Sequence, residues 1–334
     1  MNLKSLSKKV AVVSLAAIAF SSQAQAKKLL ILTDQVSGIK ARQIQKLIQT
    51  TLPFKLLKSS EFSVAVEILD PKTKPISCKA RRIQYTDAEI YSLQYWAKEK
   101  GIVISEADLK KYKDGYTIDR LVECDTPALA ALGVQFQADS VMFVHASSYE
   151  GGSGGDIPVI LSGSLEGIGL HEWLHTFGLA DEYAYAKEEA PFFCDRKDWA
   201  NVAIFNDSPP YPSNEDVRVR HRDQIPWLPY LGPKAAIVNE GRLGSPEAGN
   251  LGVFRSKTCT NVTPELKSWK PTSYPTVMED PYSTYIPKPY WTAILSGLGV
   301  SQDRITYLLK TSVSPTWSKN RDPRAPNPPP PAAK

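Results

Sequence analysis

Apolar residues in this chain fall into short runs set apart by polar stretches, and their spacing divides the chain into elements. Residues 28–33 form a compact apolar run that predicts a short buried strand, and residues 63–69 alternate apolar with polar as a half-buried strand does. Between them, residues 38–52 fit a helix, with Ile39, Ile44, Leu47 and Ile48 on one side. A second helix is predicted over 87–100, with Thr86 or Asp87 as its cap and Gly101 just past its end, and a third over 105–116. Residues 139–145 read as a core strand. Gly151, Gly152, Gly154 and Gly155 then predict a hairpin connection or a mobile flap, and 157–162 a further strand that leads through Leu165 into another helix.

Past Glu182 the pattern breaks down. As far as about Lys270 the chain is rich in Pro, Asn, Asp and aromatics, so a loop-dominated segment held by a covalent staple is expected. Within it the basic cluster Arg218 to Arg222 reads as a solvated surface strand. Helical spacing returns over 289–298, and the proline-rich end, 313–334, lacks the apolar residues to build a core and is expected to be disordered. The chain thus divides into 27–181, with a mixed sheet and a helix; 182–312, rich in loops; and the tail.

Residues 1–26 stand apart. Lys4, Lys8 and Lys9 precede an apolar run, and Ala24-Gln25-Ala26 offers a small-residue cleavage site, so a secretory signal peptide cut after Ala26 is expected. That makes the mature protein secreted or periplasmic. The run is too short to span a bilayer comfortably, and no membrane insertion is expected. Without those three lysines the chain carries 37 basic and 35 acidic residues, a balance that gives no reason to expect nucleic acid as a partner. Four cysteines, Cys78, Cys124, Cys194 and Cys259, follow the leader. Their even number predicts two disulfides. Of the three possible connectivities, sequential pairing is preferred; none of the four has the spacing of a zinc-binding pair.

The stretch with chemistry in it is His171-Glu172-Trp173-Leu174-His175. On a helix, residues four apart stand one turn above each other, so His171 and His175 aim their imidazoles at one point and form half of a zinc site. Glu172 sits beside the metal without being needed as a ligand, where a base must be to take a proton from zinc-bound water. The alternative is a helix with two surface histidines, but two of only four histidines in the chain fall in the pattern. Three residues on, Gly178 can end the helix and turn the chain, and three later Asp181 can return as third ligand. Glu182, His145 and His221 are the competitors for that role.

Together, His171-Glu172-x-x-His175-x-x-Gly178-x-x-Asp181 resembles the extended zinc motif of the metzincin metallopeptidases. Gly178-Leu179-Ala180-Asp181-Glu182-Tyr183 is similar to the signature of the bacterial immunoglobulin-A-peptidase-like members of that clan. The resemblance implies an α/β (α+β) zinc-peptidase domain, with a mixed sheet and the active-site helix above and a loop-rich lower part below. It also implies a methionine turn under the metal, for which 275–280 with Met278 is the candidate. Tyr183, Tyr282 and Tyr285 are candidates to stabilise an oxyanion. The expected activity is that of a secreted zinc endopeptidase acting on protein or peptide with one catalytic Zn2+. The alternatives are a zinc amidase or peptidase acting on cell-wall peptides and a metal-bearing binding or adhesion protein without turnover.

Overall fold

The computed structural model describes residues 26–99, 101–185, 193–195, 198–205, 214–231, 236–237, 251–262 and 266–312. Residues 1–25 of the expected leader and the tail from 313 lie outside the described residues.

Strand β1 (Lys27–Asp34) is buried along most of its length because both faces of its sheet are covered. Helix α1 (Gly38–Thr50) crosses to β2 (Phe62–Leu69), which pairs with β1 in parallel, Leu30 opposite Ala65. Ala41, Ile44 and Ile48 form the buried side of α1, whereas Ile39, expected on that side, is 76% exposed at the second position of the helix. Next come β3 (Cys78–Ile83), α2 (Asp87–Glu99), α3 (Glu106–Asp114), β4 (Tyr116–Cys124) and α4 (Thr126–Gln135). Strands β5 (Ser140–His145), β6 (Gly152–Ser153) and β7 (Val159–Leu161) complete a five-stranded sheet in the order β2-β1-β5-β7-β6. Its pairs are parallel except β6 with β7, so the Gly151–155 region makes a hairpin.

Alternate residues of the central strands feed two cores. Leu29, Ile31, Met142, Val144 and Ile160 face α1 and helix α5 (Glu166–Leu174), while Leu30, Leu32, Val141, Phe143 and Leu161 face α4. Trp173 of α5 is fully buried, stacks on Phe62 and donates its indole N–H to Ser140 Oγ at 3.2 Å. The histidine helix is thereby anchored to the sheet.

Four further elements escaped the sequence reading. Strands β3 and β4 pair as an antiparallel hairpin around α2 and α3, with Cys78 opposite Cys124 and bonded to it. Helix α4 is apolar on most sides and shows no stripe, although Asp125 caps it by accepting from Ala128 N at 3.0 Å. A last helix lies at the C-terminal end of the described residues.

The segment 182–270 also holds more order than expected. Strands β8 (Ala203–Ile204), β9 (Ala236–Ile237), β10 (Gly252–Ser256) and β11 (Ser268–Lys270) form a small sheet, too short in each strand for a period to register. Its core gathers Phe205, Val217, Trp227 and Trp269. The basic cluster begins on helix α6 (Asn214–Arg220), not on a strand. Glu215 and Asp216 in its first turn and Arg218 and Arg220 in its last suit the helix dipole, and Val217 is the buried contact. Helices α7 (Lys288–Gly297) and α8 (Gln302–Thr311) close the fold, the latter capped by Ser301.

The second disulfide joins Cys194 to Cys259, so both sequential pairs form. Two disulfides are a sign of an extracellular or otherwise oxidising environment. Among the described residues no helix is long and apolar enough to cross a membrane.

Candidate metal centre

Helix α5 tightens into a 3-10 turn over His175–Phe177 and stops at Gly178, which is left-handed at φ 77°. With no Cβ, glycine takes that conformation without strain, and the chain reverses there. The returning segment is fixed by its backbone. Asn201 accepts from Ala180 N at 2.7 Å and donates to Ala180 O at 2.8 Å, and Thr258 Oγ1 donates to Asp181 O at 2.8 Å. Asp181 is therefore held with its carboxylate against the helix it has just left. Its Oδ1 lies 2.9 Å from His171 Nε2 and 3.3 Å from His175 Nε2.

The other face of each imidazole is occupied. His171 Nδ1 donates to Val277 O at 2.8 Å and His175 Nδ1 to Leu179 O at 2.7 Å. A carbonyl can only accept, so each Nδ1 carries a proton, and in the neutral ring the Nε2 lone pair faces Asp181. Such outer partners orient metal-binding histidines.

His171, Glu172 and His175 bring their ligand atoms within 4.8 Å of one another and can hold a metal ion. Of the two carboxylates, Asp181 is the nearer, since Glu172 Oε2 stands 3.9 Å from His175 Nε2. Ligand atoms around a small tetrahedral cation stand roughly 3.4 Å apart, given bonds of about 2.0–2.2 Å. The Asp181 and His175 atoms match that spacing, and the His171 contact is tighter. Asp181 Oδ1 is also buried without a well-aligned hydrogen bond, although two ring nitrogens crowd it. His171 Nε2, His175 Nε2 and Asp181 Oδ1 therefore stand at separations that suit ligands of one cation.

The electrostatics agree with the geometry. Burial disfavours the charged imidazoles, but Asp181 outweighs it, raising His171 and pushing His175 up to about 9. Burial likewise resists ionisation of Asp181, yet the two rings hold its carboxyl well below the usual range. At Glu172 burial prevails over both histidines and raises the pKa, the direction a general base needs.

Around this group the walls are close. A Cβ on Gly152 would stand 2.9 Å from Glu172 Cγ, and one on Gly154 3.1 Å from His175 Cδ2, so the glycine hairpin roofs the site. Beneath, residues 275–280 supply the Val277 carbonyl, with Met278 fully buried in the core that holds Trp173. Tyr183 stacks on His171 with ring centres 5.9 Å apart and remains partly exposed; burial and the charges of Asp181 and Glu172 raise its pKa. Tyr285 is buried, and its carbonyl accepts from Val277 N at 3.0 Å, so it braces the turn; Tyr282 N is held by Asp280 Oδ1.

The competitors for the third position point elsewhere. Glu182 is fully buried and accepts from Asn201 at 3.0 Å, Thr276 at 2.8 Å and Tyr290, with Lys270 Nζ 3.5 Å away. His221 stacks on Phe205 and contacts Gln224, and His145 ends β5 beside Phe143. The sequence reading missed Asn201, Lys270 and Tyr290, which nothing but tertiary contact joins to the motif. Comparison with family models and with curated proteins found no match.

Proposed function

We propose that the chain is a zinc-dependent endopeptidase with a metzincin-like site, exported from the cell. The observation that carries this reading is the convergence of His171 Nε2, His175 Nε2 and an Asp181 Oδ1 that lacks an aligned hydrogen bond, with Glu172 alongside. His171, His175 and Asp181 would hold one zinc ion. When bound, the ion supplies Lewis acidity, polarising a carbonyl oxygen and acidifying a coordinated water. The chain's own residues do the rest. Glu172, its pKa raised by burial, takes the proton of the attacking water and returns it to the leaving amine. Tyr183 keeps its hydroxyl proton at any ordinary pH, which suits it to donate to a developing oxyanion. Met278 and its turn support the helix from below by way of the Val277 carbonyl.

The test is hydrolysis of an unfolded protein by the purified chain before and after chelation. Cleavage that disappears with the metal and returns on adding zinc is the expected result. Cleavage unaffected by chelation, or none by the zinc-loaded chain on any protein or peptide, would refute the reading.

A further inference from the structure

Strands β3 and β4 pair in register from Cys78–Cys124 to Ala80–Val122, and then the ladder jumps to Arg81 opposite Ile118. Asp119, Arg120 and Leu121 therefore bulge out of the hairpin. Bulges of this kind re-aim a side chain and are common beside reaction centres. Here the bulge lies on the roof of the candidate site. Ser153 Oγ donates to Val122 O at 3.0 Å, and a Cβ on Gly151 would meet Arg120 O at 2.3 Å and Arg120 Cβ at 3.1 Å. The next residue, Gly152, is the one pressed against Glu172. Arg120 is thus one strand away from the proposed base.

The other two arginines of the hairpin have partners. Arg81 Nε lies 3.4 Å from Glu123 and Arg82 donates to Asp114 O at 2.8 Å. Arg120 is exposed, and its side chain makes no hydrogen bond or ion pair among the described residues. An unpaired guanidinium at the mouth of a peptide-cleaving site offers a planar fork that matches a carboxylate.

We propose that Arg120 is a specificity-determining residue that binds a carboxylate of the substrate near the scissile bond. The carboxylate is either an acidic side chain or the terminus of a peptide. This rests on the peptidase reading above, so the test separates the two. Matched peptides carrying Glu or Gln at each position around the cleaved bond, each with a free or amidated C-terminus, are assayed in two ways. Cleavage is followed with the zinc-loaded chain, and binding by fluorescence anisotropy with Glu172→Gln.

Glu-containing or free-acid peptides should be preferred by about tenfold or more, as charged hydrogen bonds of this kind allow. Loss of preference on amidation identifies the terminus, and loss on Glu-to-Gln exchange the side chain. Arg120→Ala should abolish the preference, Arg120→Lys keep part of it, and Arg120→Glu favour Lys-containing peptides instead. That inversion is something a merely structural arginine would not give. No acid preference in binding or cleavage, or one that survives Arg120→Ala, would overturn the assignment. Acid preference in binding without cleavage of any peptide would leave Arg120 in its role and overturn the peptidase reading.

Discussion

Gly167 opens the histidine helix where it crosses the turn beneath it. A Cβ built there would stand 1.7 Å from the Pro281 carbonyl oxygen. Non-bonded heavy atoms settle near 3.5 Å, so Gly167→Ala must drive helix and turn apart by roughly 1.8 Å. The bond at risk is His171 Nδ1 to Val277 O, 2.8 Å long and four residues before Pro281. A displacement of that size takes it beyond hydrogen-bonding range. Overpacking of this kind costs about 1–3 kcal/mol, and loss of an outer partner of a metal-binding histidine typically costs about 10–100-fold in affinity. Gly167→Ala should therefore lower both the urea midpoint and the affinity for zinc, measured by competition with a chromophoric chelator. Gly101→Ala is the control, because Gly101 has φ 67° with nothing within 4 Å of its would-be Cβ. It should cost about 1–2 kcal/mol in backbone strain and leave metal affinity alone. A Gly167→Ala protein with wild-type zinc affinity would refute the argument that the turn orients His171.

The two neighbouring acids should separate cleanly: Asp181→Ala loses tight metal binding, whereas Glu182→Ala orphans donors on Asn201, Thr276 and Tyr290 and costs at least about 3 kcal/mol in a urea melt. An Asp181→Ala protein that holds zinc as tightly as wild type would contradict this. In the metal-free protein His175 has its pKa raised from 6.5 to about 9, so the stability it contributes is fully present below pH 6.5 and is lost as pH rises through about 9. The metal-free melting temperature should fall over that window, while zinc affinity, which needs the neutral ring, should rise; a metal-free melting temperature that climbs with pH would count against the Asp181–His175 contact. Mass spectrometry of the non-reduced protein should find the pairs Cys78–Cys124 and Cys194–Cys259 and no free thiol, and a modifiable cysteine in the folded protein would break that assignment.

The upper sheet and the candidate site were legible because their signals are local. Spacing alone brings His171 and His175 together, a left-handed Gly178 reverses the chain, and three further residues return Asp181 to the imidazoles. Strands β1 and β5 betray themselves as apolar runs because helices cover both faces of the sheet. What the residues do not announce depends on partners far away in the chain. The β3–β4 hairpin is split by two helices, so neither strand carries the turn signal of a tight hairpin. Strands of two to five residues, as in β8 to β11, leave no period to detect. Glu182 reads as a competitor for the third ligand position until Asn201, Lys270, Thr276 and Tyr290 close around it from other segments. The Arg120 bulge is likewise a matter of register, visible only once Ala80 and Arg81 have found their partners.

The account turns on a division of labour between Glu172 and the three side chains that converge beside it. Metal content and peptide turnover of purified Glu172→Gln test it most directly. Glutamine keeps the size of the side chain but is no base at neutral pH, and Glu172 is not among the residues assigned to hold the ion. The protein should therefore carry one zinc per chain, as wild type does, with turnover reduced by several orders of magnitude. Turnover within a few-fold of wild type, or a zinc content near zero, would contradict it.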